Sequence, residues 1–255
     1  SQGEPLVMAD PDYATGAGPQ LLGQAFPPLR RLTGTQAEGE QLKRIFPNAQ
    51  LKLKEEAGET VLKQANRPEL VHIATHGYFL KDTEEVTSAE AGTRLLARPE
   101  FQSVSSEPVR ANNPLLRSWL FFAGANRGGT EENDGTMTAL EAAQLNLWGT
   151  KLVTLSACET GLGEARTGEG VYGLRRALVL AGSEAQLISL WSVSDHATRE
   201  LMVNYYHRLK AGEGRSDALR NAQLGMLKNA KRRHPYYWAA FIQSGEWANL
   251  TGERK

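Results

Sequence analysis

The sequence predicts an α/β fold, a mostly parallel central sheet with helices on both faces. Three observations carry that expectation. The apolar runs at 70–74, 152–157 and 186–190 are continuous rather than alternating, as in strands buried on both sides. Between them lie stretches whose apolar residues recur with helical period. The 255 residues are 40% hydrophobic and 23% charged, an ordinary globular composition on a chain long enough to bury a sizeable core.

The elements follow in order. Leu6-Val7-Met8-Ala9 is a short apolar run stopped by Asp10-Pro11-Asp12, a turn signal. A Gly/Pro-rich loop runs to Pro28. Residues 36–46 read as a helix with Ala37, Leu42, Ile45 and Phe46 on its apolar side, 50–54 as an edge strand, and 59–65 as a short helix. Residues 70–74 form the next buried strand. Residues 80–113 are polar and aperiodic, and a stretch of that length suits a mobile loop. Trp119-Leu120-Phe121-Phe122 reads as a strand, followed by a Gly/Asn-rich loop at 124–136. A helix at 138–145 has Thr138 as N-cap and Glu141 as its capping-box partner. After the strand that ends at Cys158 come a helix at 168–180, a strand at 186–190 and helices at 197–209 and 216–228. The last is capped by Ser216 or Asp217. The aromatic run 235–242 is expected to dock on the core. No internal repeat is visible.

Composition excludes several classes. The 29 basic and 29 acidic residues cancel, which removes a bulk attraction to nucleic acid. No apolar stretch approaches the roughly 18 residues that span a bilayer, and no secretory signal is visible. The single cysteine cannot form an internal disulfide, which favours a reducing, cytoplasmic compartment. Five histidines and one cysteine show no paired metal-ligand spacing. The glycines at 161, 163, 168 and 170 lack the lysine and hydroxyl of a phosphate-binding loop. No metal and no cofactor are therefore expected. Ser1 is not a start methionine, so the chain reads as a fragment, one domain over residues 1–255.

Two strand ends carry chemistry. One run delivers Cys158 to a glycine-rich loop, and the other, Leu70-Val71-His72-Ile73-Ala74, delivers His76-Gly77. Ligands of parallel sheets bind beyond the carboxyl ends of the strands, where both residues sit. A thiol needs to lose its proton to attack, and a neighbouring histidine can take that proton and later give it to a leaving amine. Backbone amides at Gly77 and Cys158 can bind the oxyanion. Taken alone, Cys158 is as well read as a packed core thiol, and His76 as an ordinary loop histidine. His72, mid-strand, reads as a partnered core histidine.

Five ordered motifs lift the pair above those readings. They are Ala74-Thr75-His76-Gly77, Leu155-Ser156-Ala157-Cys158-Glu159-Thr160-Gly161, Gly168-Glu169-Gly170-Val171, Ser189-Leu190-Trp191-Ser192-Val193-Ser194-Asp195, and His234-Pro235-Tyr236-Tyr237-Trp238-Ala239-Ala240-Phe241. Together they resemble the CHAT domain, a relative of the caspases and separases, and cover nearly the whole chain. The resemblance implies a caspase-like three-layer α/β sandwich. It implies His76 as general base and acid, Cys158 as nucleophile of an acyl-enzyme, and the Gly77 and Cys158 amides as oxyanion hole. It also implies a protein substrate and an N-terminal tetratricopeptide-type region. Some relatives of the family activate gasdermin-like pore formers.

Asp195 stands where the resemblance to separases places the wall of the primary pocket, and a carboxylate there would pair with a P1 Arg or Lys. Ser194 and Asp195 read equally as the N-cap of the helix that follows. With a basic P1, Arg94, Arg98, Arg110, Arg117 and Arg127 become candidate self-cleavage sites. Trp191, Tyr237 and Trp238 read as core or pocket wall. The alternatives to a peptidase are a catalytically silent interaction module and a thiol hydrolase acting on small amides or esters. Oligomeric state is not legible.

Overall fold

The computed structural model describes residues 3–21, 24–79, 114–128, 133–156, 158–159, 169–191 and 194–253. The expected mobile loop at 80–113 lies outside the described residues, and with it Arg94, Arg98 and Arg110.

Among the described residues a six-stranded sheet has the order β12-β11-β9-β5-β1-β4. Its strands are β1 (Leu6–Pro11), β4 (Gln50–Lys54), β5 (Leu70–Ala74), β9 (Leu152–Leu155), β11 (Ala185–Ser189) and β12 (Phe241–Gly245). All neighbours pair in parallel except β12, which runs antiparallel to β11. β4 is an edge strand, as its alternating pattern predicts. The antiparallel edge strand within the aromatic tail is not signalled by the sequence. Phe241 is buried, but Ile242 and Gly245 are exposed and Gln243 and Ser244 half-buried, so the run shows no strand period.

Successive side chains on a strand point to opposite faces, and the core divides accordingly. Val7, Leu70, Leu152, Ala185 and Leu187 pack against α1 (Thr33–Ile45), α5 (Asp195–Lys210) and α6 (Arg215–Lys228). Leu6, Met8, Val71, Ile73, Val153, Leu155 and Ile188 pack on the other face, against α2 (Glu59–Lys63), α3 (Ala139–Ala142) and α4 (Glu169–Leu180). Burial on both faces is why the strands read as unbroken apolar runs. Gly39 lets α1 lie close to the sheet, because a methyl there would meet Leu51 and Ala9 at 3.0 and 3.1 Å. The capping box at Thr138 forms as predicted: its hydroxyl accepts from Glu141 N–H, and Glu141 accepts from Thr138 N–H.

The expected caps of α6 do not form. The helix begins at Arg215 with Gly214 as N-cap and no side-chain cap bond. The Arg215 N–H donates to the Ala248 carbonyl at 3.2 Å, so a tertiary contact serves the helix start. Gly214 suits that position, because a methyl there would stand 3.0 Å from the Trp247 carbonyl oxygen. Ser194 is the N-cap of α5 by position, also without a cap hydrogen bond.

A smaller four-stranded sheet, β10-β6-β7-β8, extends beyond the carboxyl ends of the main one. It comprises β6 (His76–Phe79), β7 (Ser118–Phe121), β8 (Thr136–Thr138) and β10 (Cys158–Glu159). His76-Gly77 and Cys158 were expected in loops; both lie instead on short strands of this sheet. A third cluster of Tyr13, Leu21, Leu29, Tyr78, Trp119, Phe121 and Ala125 backs it. β2 (Gln20–Leu21) and β3 (Gln24–Ala25) form a separate hairpin.

Candidate active site

The site is built where the two sheets meet. β5 ends at Ala74 and β9 at Leu155, neighbours in the main sheet. Each chain then crosses a short gap and pairs again as β6 and β10. Their parallel register sets Cys158 opposite His76 and Glu159 opposite Gly77. Neighbouring strands lie about 4.8 Å apart, so the backbones of His76 and Cys158 are side by side. Eighty-odd residues separate them in sequence; the paired β5 and β9 remove that separation.

The His76 ring is held on one side. Its Nε2 lies 2.7 Å from the Arg30 carbonyl oxygen. A carbonyl only accepts, so Nε2 carries the proton and donates it, which leaves Nδ1 as the basic nitrogen. Nδ1 is buried and has no hydrogen-bond partner among the described residues. The ring also lies against Tyr13, with centroids 5.2 Å apart.

The His76 backbone is held as firmly. Its N–H donates to the Tyr13 hydroxyl at 3.2 Å. The Tyr13 hydroxyl and Thr75 Oγ1 are 3.0 Å apart, and Thr75 donates to the Phe121 carbonyl. Thr75 has spent its proton on Phe121, so Tyr13 donates to Thr75 and accepts from His76. Each donor in this chain has an acceptor, as burial requires. Burial raises the Tyr13 hydroxyl pKa well above its ordinary value, so it remains a neutral donor.

Burial pulls the His76 imidazole below its ordinary value, because a charged ring loses solvation there. The Arg30 carbonyl and the negative charge of Asp195 act in the opposite sense. Asp195 is the first residue of α5 and is exposed. It lies against Gly34 in the first turn of α1, where a methyl would collide with the Asp195 Cβ. The fold thus brings Asp195 to the same end of the sheet as His76, although 118 residues lie between them.

His72, four residues before His76, has a different setting. Its Nε2 lies 2.9 Å from Glu38 Oε1 and its Nδ1 3.1 Å from the Tyr206 hydroxyl, which donates to Thr154. All four residues are buried. The expected partnered core histidine is what the structure contains. Trp191, Tyr237 and Trp238 are partly buried against the helix face of α1, α5 and α6.

Two residues that hold His76 escape a reading of the sequence. Arg30 contributes only a carbonyl, a group every residue has. Tyr13 sits in a stretch that reads as a loop. A periodic pattern reports elements, not loop contacts between distant segments.

Compared with known proteins, residues 1–246 match the family described as the CHAT domain. Human tetratricopeptide repeat protein 28 is 32% identical over 115 residues, 45% of this chain and 5% of that protein. Its mouse counterpart is 31% identical over the same share. The match therefore spans a small part of either relative's length. Among solved structures, the Arg-specific cysteine proteinase gingipain R resembles 98% of this chain and 47% of its own, with a TM-score of 0.50 at 11% identity. That likeness is one of fold, and the fold is the caspase-like α/β sandwich.

Proposed function

The chain belongs to the CHAT-domain family, and on that footing we propose that it is a cysteine endopeptidase with Cys158 as nucleophile and His76 as general base and acid. One observation supports this reading above the others. Cys158 is in register with a histidine whose Nε2–H is committed to the Arg30 carbonyl and whose Nδ1 has no hydrogen-bond partner among the described residues.

The proposed chemistry runs as follows. The Cys158 thiol gives its proton to His76 Nδ1, and the thiolate sulfur attacks the scissile carbonyl carbon. The Gly77 and Cys158 amides steady the oxyanion. The C–N bond then breaks, the imidazolium proton leaves with the amine, and a thioester remains. Water, deprotonated by His76, attacks the thioester, frees the acid and restores the thiol.

Asp195 is proposed to pair with a basic P1 side chain. Its charge reaches His76, and the fold-relative gingipain R is described as Arg-specific. With that preference, Arg117 and Arg127 are proposed self-cleavage positions within the described residues. The domain is proposed to act as the peptidase module of a longer protein with tetratricopeptide repeats, as the names of its relatives suggest. Its proposed substrate is a protein in a reducing cytoplasm, of the kind of a gasdermin-like effector. No described helix is long and apolar enough to cross a membrane.

The test is a fluorogenic peptide panel varied at P1, run on the parent protein and on Cys158→Ala. Cleavage after Arg or Lys is expected in the parent and none in the variant, with unchanged thermal unfolding. Equal turnover by the variant would remove Cys158 from the mechanism. Cleavage confined to Leu or Asp would remove Asp195 from the pocket. A folded parent that cleaves no peptide and takes no Arg acyloxymethyl-ketone label would instead favour a silent interaction module.

A further inference from the structure

The carbonyl that orients His76 belongs to an irregular segment. Regular structure ends before residue 26, and α1 begins only at Thr33. A loop carbonyl can orient a ring only if something fixes the loop. The side chains that do so come from two distant parts of the chain and grip the residues on either side of Arg30.

On one side, Asn126 holds Leu29. Its Oδ1 accepts from the Leu29 N–H at 2.7 Å, and its Nδ2 donates to the Leu29 carbonyl at 2.9 Å and the Ala14 carbonyl at 3.0 Å. The Asn126 N–H also donates to the Tyr13 carbonyl at 2.8 Å. One buried amide thus ties Leu29 to the loop that supplies Tyr13. On the other side, Asp10 holds Arg31. Asp10 is fully buried and accepts from Arg31 Nε at 2.8 Å and from Nη2, a bidentate pair.

Asp10 is itself fixed in an unusual posture. Its φ is 48°, in the left-handed region, at the irregularity where β1 leaves its register with β4. Its N–H donates to Thr35 Oγ1 at 2.9 Å, and Thr35 in turn donates to the Leu32 carbonyl at 2.8 Å. A strained, buried carboxylate at the carboxyl end of a central strand persists only where its surroundings hold it. Here the surroundings are Arg31 and the start of α1, which follow Arg30 directly in the chain.

We infer that Asp10 and Asn126 are positioning residues of the site, a two-sided clamp that fixes the Arg30 carbonyl and through it the orientation of the His76 ring. Neither reaches the reacting atoms. Asp10 acts through Arg31 and the backbone, Asn126 through Leu29 and the backbone. The clamp deepens the peptidase reading and rests on it for its kinetic consequence.

The experiment follows the His76 Nε2–H proton by NMR in histidine-labelled protein and measures kcat and KM on the peptide that the parent cleaves. The variants are Asp10→Asn, Asn126→Ala, the pair together, and Arg31→Lys. Arg31 is half-exposed, so its variant tests the bidentate grip if the buried ones do not fold. The parent is expected to show a slowly exchanging Nε2–H. In each folded variant that proton exchanges at least about tenfold faster, and kcat falls roughly 10- to 100-fold with KM within about twofold. The double variant falls no further than the worse single one, because both act on one carbonyl. A protected Nε2–H or an unchanged kcat in the folded variants overturns the clamp. A parent that cleaves nothing overturns the peptidase reading alone; the clamp is then decided by the Nε2–H proton, whose loss supports it and whose persistence overturns it.

Discussion

His72 and His76 lie one strand-turn apart and live in opposite circumstances. His72, inside β5, has the Glu38 carboxylate against Nε2, the Tyr206 hydroxyl at Nδ1 and no access to solvent. His76, just beyond the strand end, has one nitrogen tied to a backbone carbonyl and the other buried without a described partner. A histidine partnered on both sides holds a fold together. A histidine anchored on one side is oriented and still has a nitrogen to offer. The two helix-covered faces of the sheet also differ. The α2, α3 and α4 face is closed by an apolar cluster, whereas the α1, α5 and α6 face also buries the Glu38–His72–Tyr206–Thr154 set.

The contrast breaks most sharply when each histidine is removed. His76→Asn should lower peptide cleavage about 100- to 10,000-fold, the range for lost acid–base catalysis, and leave thermal unfolding nearly unchanged. His72→Ala should do the reverse. It strands Glu38 in the interior, which costs roughly 3–5 kcal/mol and lowers the midpoint by about 6 to 20 °C. Turnover per folded molecule should persist. A His72 variant that is stable and inactive would merge the two roles. Replacing Glu38 and His72 together by leucine should recover most of the stability, since a buried pair exchanged for apolar groups is often close to neutral.

A smaller effect tests Asp195. Gly34→Ala forces the α5 start away from α1, because the added methyl meets the Asp195 Cβ rather than a flexible tip. Cleavage after Arg should fall roughly tenfold, equivalent to about 1.4 kcal/mol, with less change for a neutral P1. Equal losses for both substrates would detach Asp195 from specificity.

The smallest effect is on pH dependence. Burial sets the folded His76 pKa below its ordinary 6.5. The unfolded chain therefore binds the proton more readily, and stability falls as pH drops through 6.5 toward the folded value. Above 6.5 both forms are neutral and the contribution is constant. His76→Asn should flatten that part of the acid limb in thermal melts recorded from pH 8 to pH 5. Asp195→Asn, which removes a charge that favours the imidazolium, should move the His76 NMR midpoint lower still.

Much of this was legible in one dimension. The strand at 70–74 and the edge strand at 50–54 follow from apolar runs and alternation, because those residues face packed layers whose period is printed in the chain. The Thr138 capping box follows from local chemistry three residues apart. The caps of α6 were misplaced because Ala248, over thirty residues downstream, serves its first amide. Of the small second sheet only β7 was legible, in the run 119–122, and the rest escaped for a similar reason. β10 has two residues and no pattern of its own, and it exists as a strand because β6 lies beside it.

The sequence by itself determined the α/β class, the family, and the two residues on which the proposed chemistry rests, since a thiol and an imidazole at strand ends are side-chain facts. Only the tertiary structure decided which nitrogen of His76 carries the proton. That choice belongs to the Arg30 carbonyl, a group no residue letter encodes, held in place by side chains from residues 10 and 126. The reason is physical. Periodicity records how a chain covers its core, whereas the orientation of a ring is set by hydrogen bonds between segments that meet only after the core has formed.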